Sequence, residues 1–148
     1  MSSITQSCPI SSAIAVGVTL IYAALSLLHG YWAVGGHGGK AAVVPEVSGR
    51  PAFVPSKSST VAVAVMLALC ALLVAATAKL VAVPISATWL RWLCVALAVI
   101  MAARAVGDFR LVGFFKRVRG TRFARLDTML FAPLCLLLAA GVLYVGLC

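Results

Sequence analysis

Four ionisable side chains stand where apolar stretches of this sequence begin or end, and together they could do chemistry. His29 lies near the end of the first apolar stretch, Arg104 and Asp108 close the third, and Asp127 opens the fourth. Imidazole and carboxylate groups can exchange protons with a substrate, and a guanidinium binds anionic groups. If the fold brings them together, these residues could form a ligand site or an acid–base pair.

Each of these residues also has a purely structural interpretation. Arg104 and Asp108 are four residues apart, so they would face each other on one helix turn. Arg104 could also extend its side chain to the membrane surface. Asp127 could be a helix N-cap, and His29 could bond a main-chain carbonyl. The residue types alone therefore leave a structural cluster and a functional site both open.

Other familiar chemical signatures are missing from the sequence. It contains no HExxH, no GxSxG, no phosphate-binding loop and no dinucleotide fingerprint. His29 and His37 are weak evidence for a metal or haem site, because the second histidine lies in a link. None of the five cysteines forms a CxxC pair, although Cys8 and Cys148, near the two ends, could pair with each other. We therefore expect no metal site and no cofactor.

The elements that position these residues follow from the composition. Of the 148 residues, 64% are hydrophobic, and only three acidic residues stand against twelve lysines and arginines. A soluble domain has about 45–50% apolar residues, so this excess cannot be buried in one small core. We expect an integral membrane protein, whose net charge of +9 meets anionic lipid headgroups rather than nucleic acid.

Four stretches are long and apolar enough to cross a bilayer core of about 30 Å as helices. Helices are expected because a segment in lipid must satisfy its own main-chain polar groups. Pro84 is expected to end the second helix and Thr88 to cap the third, and Pro133 could bend the fourth. The prediction is an all-α membrane protein, a four-transmembrane-helix bundle with a single transmembrane domain over residues 1–148. Its predicted helices are at about 10–34, 59–83, 88–107 and 127–148.

Two long links, 35–58 and 108–126, lie on one side of the predicted bundle. This side carries every basic residue except Lys79 and Arg91. Because loops rich in lysine and arginine stay in the cytoplasm, we expect both termini on the non-cytoplasmic side of the membrane. Trp89 and Trp92 would then anchor the interface opposite the links.

The second link has an amphipathic pattern. Its apolar residues share one face of a helical wheel, and its basic residues lie around the rest. The pattern predicts a short amphipathic interfacial helix over residues 110–119, between transmembrane helices 3 and 4; a plain cytoplasmic loop is the alternative. The residues predicted to bind anionic lipid headgroups are Arg110, Lys116, Arg117 and Arg119.

The same topology brings the polar residues to a similar depth at the cytoplasmic ends of helices one, three and four. We expect them to enclose a pocket that the first link could cover, with Phe53 as part of an apolar wall. The predicted ligand-binding residues are His29, Tyr31, Trp32, Arg104, Asp108 and Asp127.

Three stretches, LLHGYWAVGG, PAFVPS and RAVGDFRLVGFFKRVRGTRFARLDTMLFAPLCL, resemble the DUF3995 family of bacterial membrane proteins. The resemblance covers most of the chain and is strongest over residues 104–135. It implies a small four-helix protein of the bacterial inner (plasma) membrane, and it implies no particular reaction.

Three kinds of function remain open at this point. The favoured one is a non-enzymatic bundle that binds a lipid-like or amphiphilic ligand, or a partner protein, at its cytoplasmic polar cluster. The second is an intramembrane enzyme acting on a lipid or isoprenoid-type substrate, with His29 and an aspartate as acid and base. The third is a transporter, which would have to be a homo-oligomer because four helices are too few to enclose a wide path.

Overall fold

Four long helices dominate the structure, a computed structural model that describes residues 9–47 and 50–148. They are α1 (Pro9–Ala33), α3 (Lys57–Thr77), α4 (Ala87–Val106) and a fourth that begins at Arg122 and ends at Leu147. Each is long and apolar enough to cross a membrane. The protein is thus a multi-pass membrane protein with an all-helical, four-helix architecture, as the sequence predicted.

The four helices pack as two antiparallel pairs, α1 against α3 and α4 against the fourth helix. Small residues allow the helix backbones to approach closely, as is usual in membrane bundles. A Cβ atom on Gly141 would lie 2.7 Å from Val18, and one on Gly146 would lie 2.8 Å from Cys94. The buried core joins both helix pairs. It consists of Ala15, Val18, Tyr22, Ala71, Val74, Cys94, Leu97, Ala98, Leu138, Val142 and Val145.

The fourth helix begins earlier than the sequence predicted. Thr121 is its N-cap and accepts a hydrogen bond from the Ala124 amide at 3.0 Å, so Asp127 is not a cap. The helix runs through α5 (Arg122–Leu126), a π-helical turn (Asp127–Phe131) and α6 (Ala132–Leu147). Pro133 lacks an amide hydrogen, which disrupts the α-helical ladder locally and accounts for a widened turn just before it.

The second and third transmembrane helices also differ from their predicted bounds. The second, α3, ends at Thr77 rather than at Pro84, because Lys79 adopts a left-handed conformation with a φ of 59°. The amides of Lys79 and Leu80 then bond back to the carbonyls of Ala76 and Ala75, which closes a Schellman motif. The N-cap of α4 is Ser86, two residues before the predicted Thr88.

The predicted interfacial helix over residues 110–119 is absent, and this prediction was wrong. Residues 107–121 form bends and turns between α4 and α5. Asp108 supplies the physical reason, because its carboxylate takes up the amides of Arg110, Leu111 and Val112 at the start of the link. Gly113, with a φ of 87°, then turns the chain back toward the end of α4.

The first link carries a short helix, α2 (Lys40–Val43), and a two-stranded pair formed by β1 (Glu46–Val47) and β2 (Arg50–Pro51). Helix α2 contacts α5, so the two long links meet at the same end of the bundle. We call this the link end. The opposite end, which carries the α3–α4 connection of residues 78–86, is the hairpin end.

Candidate functional site

Asp127 is the centre of the ionic contacts at the link end. Its side chain is completely buried, at 0% exposure, and both of its carboxylate oxygens have charged partners. Oδ1 accepts from Nη2 of Arg104 at 3.0 Å, and Oδ2 accepts from Nζ of Lys116 at 3.1 Å. The Gly113 amide donates to the same Oδ2 at 2.6 Å. We call Asp127, Arg104 and Lys116 the ionic cluster.

Lys116 is held inside the protein by the second link. Its side chain is only 2% exposed, and its ammonium also donates to the Gly113 carbonyl at 2.9 Å and to Oγ1 of Thr128 at 2.6 Å. With the Asp127 carboxylate, these partners occupy all three ammonium hydrogens. The cluster therefore ties the second link to the start of the fourth helix, and it leaves the Asp127 carboxylate little room to serve as a base.

Two glycines make this arrangement possible. Gly107 and Gly113 touch through their backbones, and both have positive φ values, 93° and 87°. A Cβ atom on Gly113 would overlap the main chain of Val106 and Gly107. The Phe114 amide also bonds the Ala105 carbonyl at 2.9 Å, so the link is fastened to the last turn of α4.

Asp108 lies at the surface and has a different role from Asp127. Its Oδ1 accepts three main-chain hydrogen bonds, from Arg110 at 2.9 Å, Leu111 at 2.7 Å and Val112 at 3.0 Å. These bonds, that from Val112 foremost, lower the pKa of the Asp108 carboxyl below its ordinary value. Asp108 thus organises the link by accepting main-chain hydrogen bonds, and none of these three bonds comes from Arg104.

His29 lies in a separate cavity of about 270 Å³. The cavity opens between α1 and α3 under the first link. The described residues that line it include no carboxylate: they are His29, Trp32, Val43, Val44, Phe53, Pro55, Ser59, Thr60 and Val63. Nδ1 of His29 is 2.8 Å from the Leu25 carbonyl, and its ring meets Trp32 edge to face at a centroid distance of 5.0 Å.

The first link closes over this cavity through two hydrogen bonds. Nε1 of Trp32 donates to the Gly38 carbonyl at 2.7 Å, and the Gly38 amide donates to the Tyr31 hydroxyl at 3.4 Å. A Cβ atom on Gly36 would overlap the Tyr31 ring, so this part of the link is pressed against α1. Tyr31 itself is 49% exposed and lies outside the cavity lining.

The structure thus divides the six predicted ligand-binding residues into separate groups. His29 and Trp32 line the cavity under the first link, Arg104 and Asp127 belong to the ionic cluster, and Asp108 caps the second link. The sequence did not reveal Lys116 as a partner of Asp127. The only signal was that a buried carboxylate in a chain with so few acids needs a cation, and several nearby basic residues met that condition equally well.

The four residues predicted to bind lipid headgroups also differ from one another. Lys116 points inward, whereas Arg110, Arg117 and Arg119 are exposed. Within residues 9–47 and 50–148, no three histidine, cysteine, aspartate or glutamate side chains are grouped so that they could hold a metal ion. Cys70, Cys94, Cys135 and Cys148 are free thiols; Cys8, and with it the possible Cys8–Cys148 pair, lies outside the described residues.

The fold and these sites define a small four-helix membrane protein with polar groups concentrated at one end. The sequence profile of DUF3995, described as a protein of unknown function, matches residues 22–142, which is most of the chain. The protein belongs to the DUF3995 family. Comparisons with curated proteins and with solved structures gave no match.

Proposed function

We propose that this protein is a non-enzymatic membrane bundle that binds an uncharged, hydrogen-bonding amphiphile in the cavity under its first link. The observation that carries the proposal is the cavity of about 270 Å³ itself. Ligand cavities usually measure about 300–1,000 Å³ and are mostly apolar with a few placed polar groups. This cavity is near the lower limit, so it suits a small headgroup whose tail leaves between α1 and α3.

The polarity of the lining favours an uncharged headgroup. Val43, Val44, Phe53 and Val63 make most of the wall apolar, and none of the lining residues that the structure describes is a lysine, arginine, aspartate or glutamate. The hydroxyl groups of Ser59 and Thr60 already donate to the Ser56 carbonyl, each at 2.9 Å. A charged headgroup would meet no counter-charge among these described residues, and its desolvation would be costly.

His29 supplies the polar contact for the ligand. Since a carbonyl oxygen can only accept a hydrogen bond, Nδ1 must carry the hydrogen that faces Leu25. In the neutral imidazole, Nε2 is then unprotonated and accepts hydrogen bonds. A ligand hydroxyl can donate to this nitrogen, so the favoured ligand class is a lipid-like alcohol, such as a diacylglycerol.

The enzyme and transporter alternatives have weaker support. An acid–base mechanism would need His29 and an aspartate at one substrate, but neither Asp108 nor Asp127 lines the His29 cavity. Both oxygens of Asp127 already have partners. A transporter would require several copies of the chain around a shared path, and we propose a homo-oligomer only as an assembly of the binding protein.

We further propose that the protein lies in the bacterial inner membrane with its link end in the cytoplasm. The asymmetry of the basic residues supports this orientation, since all but Lys79 and Arg91 belong to the link end. The exposed guanidinium groups of Arg110, Arg117 and Arg119 would then contact anionic headgroups of the inner leaflet.

The proposal is tested with dioleoylglycerol as the probe and purified protein in an uncharged detergent. Binding is measured by native mass spectrometry for the wild type, for His29→Asn, which lacks an acceptor at the Nε2 position, and for Val63→Phe, which fills the cavity. We expect both variants to bind the probe at least tenfold more weakly, which corresponds to a loss of at least about 1.4 kcal/mol of binding free energy.

Val61→Phe is the matched control, because Val61 is exposed on the same helix and is not part of the cavity lining. It should bind dioleoylglycerol like the wild type. Equal binding by the wild type, His29→Asn and Val63→Phe would contradict the proposal.

A further inference from the structure

Two adjoining cavities mark the hairpin end of the bundle. The first is an apolar groove of about 370 Å³ between α3 and α4, and the second is a more polar cavity of about 490 Å³ at the α3–α4 connection. The two share the lining residues Ala76, Val83, Ile85 and Leu90. A chain of methylene groups in the groove would therefore lead directly into the polar cavity.

Both basic residues of the hairpin end line the polar cavity. Lys79 comes from the cap of α3 and Arg91 from the first turns of α4. The three acidic residues of the sequence, Glu46, Asp108 and Asp127, all belong to the links or to the start of the fourth helix. Among the residues that line the polar cavity, two side chains are thus cationic and none is acidic.

The contacts of these two cations leave them available to a ligand. Among the described residues, the Lys79 ammonium has no hydrogen-bond or ion-pair partner. Nη2 of Arg91 donates at 3.4 Å to an oxygen of Cys148, the last residue of the sequence, which also lines the cavity. Lys79 is also a lysine in the left-handed conformation at a position where helices usually carry glycine. A glycine there would relieve the backbone and lose the charge.

We propose that the hairpin end binds an anionic phospholipid, with its phosphate at Lys79 and Arg91 and one acyl chain in the groove between α3 and α4. The charge at the mouth selects the headgroup, and the apolar groove selects a lipid over a free phosphate. The lipid belongs to the membrane leaflet opposite the two links, so this site is separate from the proposed cavity at His29.

The test compares lipids that share the same chains and differ only in headgroup charge. Dissociation constants for dioleoylphosphatidylglycerol and dioleoylphosphatidylcholine are measured by native mass spectrometry in an uncharged detergent. Each basic residue near the headgroup contributes about 1 kcal/mol, or roughly fivefold in affinity. We therefore expect the wild type to prefer the anionic lipid by about twenty-fivefold, since two cations contribute roughly fivefold each.

Lys79→Gly and Arg91→Gln should each reduce this preference about fivefold, and the double variant should bind both lipids equally. Lys79→Gly is expected to fold at least as well as the wild type, so lost binding cannot be attributed to unfolding. Lys57→Gln, which removes an exposed charge at the link end of the same helix α3, is the matched control and should keep the preference. A preference that is absent in the wild type, or that survives the double variant, would overturn the proposal.

A second arm tests the groove. Ala96 is exposed in the groove wall, and Ala96→Phe should fill it and weaken binding of both dioleoyl lipids without changing their ratio. Glycerol 3-phosphate, which has the charge and lacks the chains, should not displace the lipid at equal concentration. Displacement by this compound, or full binding by Ala96→Phe, would show that the groove does not hold a lipid chain.

Discussion

At the scale of single residues, Asp127 has the most demanding environment in the described part of the chain. Its side chain and that of Lys116 are almost fully buried, and the two charges are compensated mainly by each other and by Arg104. Removing one member of a buried ion pair leaves an unpaired charge and typically costs about 3–5 kcal/mol. The ionic cluster is therefore important for stability whether or not a ligand is bound.

We predict that Asp127→Asn lowers the free energy of unfolding by about 3–5 kcal/mol, because Lys116 is left buried without a carboxylate. Titration with a denaturing detergent, followed by circular dichroism, measures this loss. The double variant Asp127→Leu, Lys116→Met should recover much of it, since no charge then remains unpaired between them. Arg110→Gln, at an exposed site, should change stability by less than about 0.5 kcal/mol. A loss for Asp127→Asn as small as that of the control would contradict the structural role.

Asp108 gives a prediction about pH. The pKa of its carboxyl is lowered from the ordinary value of 3.8 by the amide bonds from Val112, Leu111 and Arg110. A group with a depressed folded-state pKa stabilises the fold above its ordinary pKa, and this contribution disappears as the pH falls through the folded-state value. The amide NMR signals of residues 110–112 should therefore titrate with a midpoint below 3.8. Asp108→Asn should abolish the titration, and a midpoint above 3.8 would be inconsistent with these bonds.

At the scale of elements, the second link shows most clearly how a local pattern was overridden. The helical-wheel pattern of residues 110–119 favoured a helix. In the structure, however, three successive amides near the start of the link donate hydrogen bonds to one oxygen of Asp108, and Lys116 points inward to Asp127. The closed link depends on the contact between Gly107 and Gly113. It is therefore sensitive to any side chain placed at that contact.

We predict that Gly113→Ala destabilises the protein by several kcal/mol, because the new Cβ atom overlaps the backbone of Val106 and Gly107. Gly120→Ala is the matched control: its φ of 91° is similar, but the space around it is open. That variant should lose only about 1–2 kcal/mol from the unfavourable backbone conformation. Thermal unfolding in detergent compares the two, and equal losses would mean that the contact between the glycines is unimportant.

At the C-terminal cap of α3, by contrast, we expect a substitution to increase stability. Lys79 closes the Schellman motif in a left-handed conformation, which costs a residue with a Cβ atom about 1 kcal/mol relative to glycine. Lys79→Gly should therefore raise the free energy of unfolding by about that amount. A decrease, measured by the same detergent titration in lipid-free protein, would show that the lysine side chain itself supports the fold.

These elements also show which features of the structure could be predicted from the sequence. The four transmembrane helices were predictable, because their length and hydropathy are required by the bilayer. The residue at which α3 ends was not predictable, since it depends on a lysine that adopts a left-handed conformation. The residue at which the fourth helix begins was not predictable either, since it depends on the N-cap Thr121. Likewise, the polar residues at the link end were identifiable by type, whereas the separation of His29 from Asp127 depends on how two links fold in space.

At the scale of the whole molecule, charge is distributed so that the two ends meet different environments. The link end carries nearly all of the basic residues and all of the acidic ones, whereas the hairpin end carries Lys79 and Arg91 alone. This asymmetry favours a link end in the cytoplasm. The two proposed lipid sites then face opposite leaflets, an uncharged amphiphile on one side and an anionic phospholipid on the other.

The orientation can be tested with an impermeant thiol reagent on intact cells. In a Cys8→Ser variant, Cys148 is the exposed thiol at the hairpin end, while Cys70 and Cys135 lie within transmembrane helices. We predict that Cys148 reacts in intact cells, because the proposed orientation places the hairpin end away from the cytoplasm. A second variant, Arg117→Cys combined with Cys8→Ser and Cys148→Ser, places the reporter on the exposed surface of the second link. It should react only after the membrane is permeabilised. The reverse result in both variants would place the link end outside the cytoplasm, and the basic residues would then be an exception to the rule that retains such loops inside.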